Sequence, residues 1–109
     1  MNSNLLVKYI RQTKKEISPR KKAVMERTRK VGTLIAFLDS DEYIRIGWSA
    51  LNTWSDDKFD RNEGIRLAKL NTTCILSPDV IKSMPLKVRN DIEHFIGRAE
   101  NYFKRSVVR

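Results

Sequence analysis

Apolar and polar positions follow the clearest pattern in the middle of the chain. The run "VGTLIAFL" at 31–38 is almost wholly apolar, and in "YIRIGWS" at 43–49 every second residue is apolar. The charged stretch "DSDE" between them predicts a loop of four residues or slightly more. The pattern therefore predicts an antiparallel β-hairpin. Because two strands alone are only marginally stable, the hairpin needs helices or a partner's strands on its apolar face.

Later segments have the spacing of helices. The clearest is "LKVRNDIEHFIGRAENYFKR", where one face carries the apolar residues Val88, Ile92, Phe95, Ile96, Ala99, Tyr102 and Phe103. A second helix is predicted over 60–70, since Asp60 and Glu63 have the spacing of a capping box. Its predicted buried stripe consists of Ile65, Leu67, Ala68 and Leu70. Ser77 followed by Pro78 predicts the start of a third, short helix.

The N-terminal 30 residues differ from the rest in their pattern. Apolar residues in "NLLVKYIRQTKKEI" have a loosely helical spacing. Ser18 and Pro19 then have the form of a helix start, and the basic stretch "RKKAVMERTRK" follows with little apolar content. We therefore predict a basic helical arm over 1–30 that orders on a partner, followed by a compact domain over 31–109.

The predicted fold class is α+β. It consists of a small single domain in which an antiparallel β-hairpin is packed by two or three helices, with the basic helical arm in front. A chain of 109 residues supports one modest core, so a homodimer or a higher homo-oligomer is predicted rather than a monomer.

Charge is distributed unevenly along the chain. The net charge is +9, and residues 1–31 hold ten Lys and Arg against two Glu. Such an uneven distribution of charge favours a polyanionic partner at one end of the molecule, although basic residues can also serve solubility alone. No apolar run is long enough to cross a membrane, and no secretory signal is apparent, so no membrane partner is predicted. One cysteine fits a reducing compartment, and we predict a cytoplasmic protein.

Catalytic and metal-binding patterns are weak. The acidic group Asp56, Asp57, Asp60 and Glu63 lacks the spacing of a calcium loop, and interleaved cations would oppose a bound metal. Cys74 is predicted to be a small buried apolar residue, and His94 a helix residue at the edge of the core. With no phosphate-cradling glycine loop either, the sequence predicts a protein that is not an enzyme and uses no metal or cofactor.

Aromatic residues offer another kind of chemistry. Trp48 is predicted to lie in the core. Trp54 and Phe59 are predicted either to cover the core or to form an exposed stacking surface. In the second case they suit a nucleobase, with neighbouring cations on phosphate. The candidate nucleobase and phosphate contacts are Arg45, Trp54, Lys58, Phe59 and Arg61.

The middle of the chain resembles a known group of proteins. The strand ending "IGWS", the turn "DKFDR" at 57–61 and the helix start "GIRLA" at 64–68 are similar to a pattern in small accessory proteins of tailed bacteriophages. The resemblance covers about 32–105. It implies a non-catalytic role: inhibition of a host enzyme, nucleic-acid binding, or sequestration of nucleotide signals. It also implies that Gly47 permits close packing, that Phe59 fills the strand–helix junction and that Asp60 caps the helix.

These features together predict a non-enzymatic accessory protein for host takeover or anti-defence, which binds a phosphate-bearing ligand. The leading hypothesis is RNA or DNA, held with little sequence preference by the arm residues Lys14, Lys15, Arg20, Lys21, Lys22, Arg27, Arg29 and Lys30. Two alternatives stay open: sequestration of a nucleotide immune messenger, and inhibition of a host enzyme through a protein–protein contact.

Overall fold

One antiparallel sheet organises the molecule. The computed structural model describes residues 4–17, 24–50 and 60–109, with side chains described for 4–13, 28–50 and 60–109. Within these ranges the sheet has the strand order β1-β2-β3-β4, and three helices accompany it. The elements are β1 (Leu6–Ile17), β2 (Val24–Leu38), β3 (Ile44–Ala50), α1 (Arg61–Leu70), β4 (Thr72–Thr73), α2 (Pro78–Ser83) and α3 (Leu86–Phe103).

The predicted α+β class and the predicted hairpin are confirmed. β2 and β3 pair from Leu38 opposite Ile44 to Gly32 opposite Ala50. The loop between them has no glycine, and Glu42 adopts a left-handed φ of 65°. The Asp39 carboxylate supports this conformation by accepting hydrogen bonds from the backbone N–H groups of residues 41 and 43, at 2.9 and 3.0 Å.

The predicted N-terminal helix is wrong. Residues 6–17 form a strand that pairs with β2 along its whole length, from Leu6 opposite Ala36 to Ile17 opposite Val24. Leu6 and Ile10 are four positions apart, and this spacing places two residues on one face of a helix and also on one face of a strand. The free edge of β2 decides between the two, because a paired strand satisfies its backbone groups. β2 itself runs from Val24 to Leu38, across the predicted boundary between the arm at 1–30 and the compact domain at 31–109.

Helices cover both faces of the sheet. The main core lies on the α3 side, where Leu34 and Ile46 are fully buried against Phe95. On the other face α1 contacts β2 and β3, and the Ser49 hydroxyl donates to the Gly64 carbonyl at 2.8 Å. Burial on both faces explains why residues 31–38 of β2 are apolar at nearly every position rather than alternating. Trp48 is half-buried against the main core, as predicted.

α1 packs through small residues rather than through the predicted apolar stripe. Its buried residues are Gly64 and Ala68, whereas Leu67 and Leu70 are exposed. The helix backbone can approach the sheet this closely because Gly47 lies beneath it. A Cβ atom at that position would lie 2.3 Å from the Ala68 carbonyl oxygen. The close-packing role implied for Gly47 is therefore confirmed.

The predicted helix starts are confirmed at two positions. The Asp60 carboxylate caps α1 by accepting from the N–H groups of Asn62 and Glu63 at 2.9 and 3.2 Å. The Ser77 hydroxyl caps α2 by accepting from the Val80 N–H at 3.3 Å. These side chains satisfy donors that have no partner inside the helix. The Ser18 and Pro19 prediction lies outside the described residues.

We expect the substitution Asp60→Ala to lower the free energy of unfolding by about 1 kcal/mol, the usual contribution of an N-cap. The matched variant Asp60→Asn should lower the free energy of unfolding by only a small part of that amount, since an amide oxygen caps a helix almost equally well. Urea denaturation of both variants measures the difference. Equal destabilisation by Ala and Asn would contradict the capping role.

α3 is held at its C-terminal end and along one side. Arg105, just after the helix, forms an ion pair with Glu42 at 3.4 Å in the β2–β3 loop. The chain then turns back, and the Val107 N–H donates to the Glu100 carboxylate at 2.8 Å. Arg109 pairs with Glu93 at 2.7 Å. The C-terminal tail therefore covers one side of α3 and leaves the opposite side to the neighbouring strand.

In the described residues no helix has both the length and the apolar character required to cross a membrane.

Candidate nucleic-acid interface

Part of the sheet is only two strands wide. β3 pairs with β2 no further than Gly32, while β1 and β2 continue together for seven more residue pairs. We call residues 11–17 and 24–30 the basic ribbon. At about 3.3 Å per residue the ribbon is roughly 23 Å long. The molecule measures 57 × 27 × 23 Å, so its shape is elongated.

A β-bulge marks the base of the ribbon. Ile10 lies opposite Gly32, but the next residue, Arg11, lies opposite Lys30, so Val31 is the extra residue. Ile10 and Val31 are both buried in the main core. A bulge increases the local twist of a strand pair and changes the direction of the strands beyond it. The ribbon is therefore anchored in the core at its base and leaves the body at a fixed point.

Like charges are paired across the ribbon. The register places Arg11 opposite Lys30 and Lys14 opposite Arg27, whereas Lys15 lies opposite Glu26. Directly opposed like charges destabilise a strand pair by about 0.2–1 kcal/mol. Within the described side chains, the Lys30 ammonium lies 4.9 Å from the centre of the Tyr9 ring. An anionic ligand would stabilise the ribbon, because its negative charge would offset the repulsion within the two cationic pairs.

A hydroxyl pair lies between these cationic pairs. The Thr13 and Thr28 hydroxyl oxygens are 3.0 Å apart and exposed, and either can donate. Gln12 lies opposite Arg29, one position closer to the body. The described part of the ribbon therefore presents amide, hydroxyl and cationic groups, all of which bind phosphate oxygens or base edges.

Five of the eight basic residues predicted to bind nucleic acid lie in the described part of the ribbon, and three do not. Lys14, Lys15 and Arg27 lie in the two strands of the ribbon, and so do Arg29 and Lys30 at its base. The remaining three, Arg20, Lys21 and Lys22, lie between the strands and outside the described residues. The structure thus brings together five of the eight residues as a β-ribbon, where the sequence predicted a helical arm.

The candidate nucleobase and phosphate contacts are not brought together in the described structure. The Arg45 side chain forms an ion pair with Asp39 at 3.3 Å and a long hydrogen bond to the Thr72 hydroxyl at 3.4 Å. It lies opposite Phe37, about 23 Å along β2 from Lys30 at the base of the ribbon. Arg61 is exposed at the start of α1, whose first turns lie near the ribbon end of β3. The other members, Trp54, Lys58 and Phe59, lie outside the described residues.

Sequence reasoning missed the contribution of α3. The first turns of α3 and the base of the ribbon enclose an open groove of ≈ 440 Å³, lined by Arg11, Gln12, Leu86, Lys87, Asn90 and Asp91. The spacing of the polar residues on α3 could have shown that they share one side of the helix. It could not have shown that β1 lies beside them, because that follows from the strand pairing.

No protein-family model matches the chain, and searches of curated proteins and of solved structures gave no match.

Metal-ligating and nucleophilic groups are dispersed in the described part of the chain. No cluster of three or more His, Cys, Asp or Glu residues there could hold a metal ion. His94 is exposed on α3, farther from the core than predicted. Cys74 is half-buried rather than buried, and it lines a shallow apolar depression with Tyr43, Ile75 and Val108.

Proposed function

We propose that this protein is a non-enzymatic nucleic-acid-binding protein that holds its ligand with the basic ribbon. The observation that carries the proposal is the pairing of like charges across the ribbon, at Arg11 with Lys30 and at Lys14 with Arg27. A protein that needed positive charge only for solubility would gain more from charges of both signs spread over its surface. Concentrated charge on a projecting element suits a polyanion instead.

Binding is expected to show little sequence preference. Contacts from Lys and Arg to phosphate oxygens supply affinity without reading the bases. The ribbon holds six of the ten basic residues in the first 31 positions, and the sequence between its strands holds three more. Such a protein would serve the accessory role in a bacteriophage that the sequence resemblance implies.

The test is fluorescence anisotropy of the intact protein with labelled DNA and RNA at a series of salt concentrations. Each phosphate contact contributes about 0.9 to the slope of log K against log salt concentration. With about five contacts, affinity should fall by about 500-fold between 50 and 200 mM salt. A slope near zero, or no binding at low salt, would refute nucleic-acid binding through this surface.

The two alternative functions give different results in the same assay. A protein that sequesters a nucleotide messenger should bind mononucleotides or dinucleotides tightly and with weak salt dependence, because few charges are neutralised. An inhibitor of a host enzyme should retain a protein partner from bacterial lysate after nuclease treatment. Both alternatives stay predictions.

A further inference from the structure

A second basic surface begins where the ribbon meets the body. Lys87 and Asp91 of α3 line the groove that Arg11 and Gln12 line from the ribbon. Residues four, seven and eleven positions apart lie on the same side of a helix. We therefore define the groove side of α3 as Lys87, Asp91, His94 and Arg98, of which His94 and Arg98 are exposed.

The opposite side of α3 has a different character. It carries Arg89, Glu93 and Glu100, and the C-terminal tail packs along it. Hydrogen bonds from the Arg109 guanidinium lower the pKa of Glu93 and keep that carboxylate charged. On the groove side, Lys87 and Arg98 outnumber the one acidic residue, Asp91. On the tail side, the carboxylates of Glu93 and Glu100 both bond to the C-terminal tail.

The direction of α3 makes the groove side continuous with the ribbon. The helix begins beside Arg11 and Gln12 at the base of the ribbon. It ends at the β2–β3 loop, where Arg105 pairs with Glu42. The groove side therefore runs back from the ribbon along the body.

The ribbon itself favours a duplex over a single strand. Proteins that bind single strands stack bases on aromatic side chains. The side chains described in the ribbon, those of residues 11–13 and 28–30, are Arg, Gln, Thr, Thr, Arg and Lys, and the sequence of 14–17 and 24–27 contains no aromatic residue. The major groove of B-form DNA, about 12 Å wide, admits a two-stranded ribbon, whereas the major groove of A-form RNA is too narrow and deep.

Resting on the proposed function, we infer that the ligand is a B-form DNA duplex. The ribbon enters its major groove, and the groove side of α3 meets the phosphates that border that groove, with Arg98 making one of the phosphate contacts. A ribbon that lies lengthwise in the groove brings the body, which begins at the bulge, against the adjoining sugar–phosphate backbone. The groove side of α3 lies at that point, because the groove that its first turns form is lined by Arg11 and Gln12.

The test compares two matched variants, Arg98→Gln on the groove side and Arg89→Gln on the tail side. Both residues are exposed arginines of the same helix, so the two variants change charge and helix propensity equally. The probe is a DNA duplex of about 17 base pairs, which matches the 57 Å length of the molecule at about 3.4 Å per base pair. An RNA duplex and a single-stranded DNA of the same sequence are measured alongside.

We expect the DNA duplex to bind most tightly. Arg98→Gln should reduce the salt slope by about 1 and the affinity at 0.1 M salt by about five- to tenfold, because one phosphate contact is lost. Arg89→Gln should match the unsubstituted protein. Equal effects of the two variants, or binding of the RNA duplex or single strand as tight as that of the DNA duplex, would overturn this inference while leaving ribbon-mediated binding intact. Failure of the unsubstituted protein to bind any of the three probes would overturn the proposed function as well.

Discussion

Excision of residues 13–28, with Gln12 joined to Arg29 through an Asn-Gly turn, should lower the affinity for nucleic acid at least about 100-fold at 0.1 M salt. The excised segment contains six Lys and Arg and two Glu. If three phosphate contacts are lost with it, the expected decrease at 0.1 M salt is about 500-fold. Anisotropy titrations at several salt concentrations measure the affinity and the decrease in slope.

The excision is designed to keep the fold. Gln12 and Arg29 are cross-strand partners, and Asn-Gly is the preferred two-residue connection between paired strands. The buried residues Ile10 and Val31 are retained, so the bulge and the core beneath it stay intact. Removal of the whole segment 1–30 would be uninformative, because it would take Ile10 and the edge strand of the sheet with it. Thermal unfolding followed by circular dichroism checks that the shortened protein folds.

Two triple variants distinguish the effect of charge on the ribbon from the effect of net charge on the affinity for nucleic acid. Lys14→Gln, Lys15→Gln and Arg27→Gln remove three charges from the ribbon. The control variant removes three exposed charges from the helices by Lys69→Gln, Lys82→Gln and Arg89→Gln. Both proteins have a net charge three lower than +9. Only the ribbon variant should lose most of its affinity, and an equal loss in both would show that the ribbon has no special role.

Gly47→Ala should destabilise the protein by at least about 2 kcal/mol, the range of overpacked core substitutions. The added Cβ would lie 2.3 Å from the Ala68 carbonyl oxygen and 2.9 Å from the Thr72 methyl carbon. The carbonyl belongs to the backbone of α1 and cannot rotate away, so the helix itself would have to move off the sheet. Chemical denaturation measures the loss.

Gly97→Ala provides the matched control. Gly97 is exposed on α3, and a Cβ atom there would meet no atom within 4 Å. Since alanine favours a helix over glycine by about 1 kcal/mol, this variant should be more stable than the unsubstituted protein. The same substitution should therefore have opposite signs at the two positions. A neutral Gly47→Ala would show that α1 is not held against the sheet as the structure places it.

The sequence by itself determined the elements whose hydrogen bonds are local. α3 was predicted almost to its ends, because a helix bonds each N–H to a carbonyl four residues earlier and its buried side recurs in the sequence. Asp60 and Ser77 were likewise predicted from side chains that bond the backbone two or three residues away. The β2–β3 hairpin was predictable for the same reason, since its strands are joined by a short loop.

Only the tertiary structure decided the conformation of the N-terminal segment. The spacing of Leu6 and Ile10 suits a helix and a strand equally, and the choice depends on the free edge of β2, whose partners lie up to 30 residues away. The continuous apolar run of β2 likewise needed α1 on the second face of the sheet. The groove side of α3 faces the ribbon only because β1 lies at that edge. The basic residues of the candidate site were visible in the sequence, but their arrangement as a two-stranded ribbon was not, because strand pairing joins backbone groups that are distant along the chain.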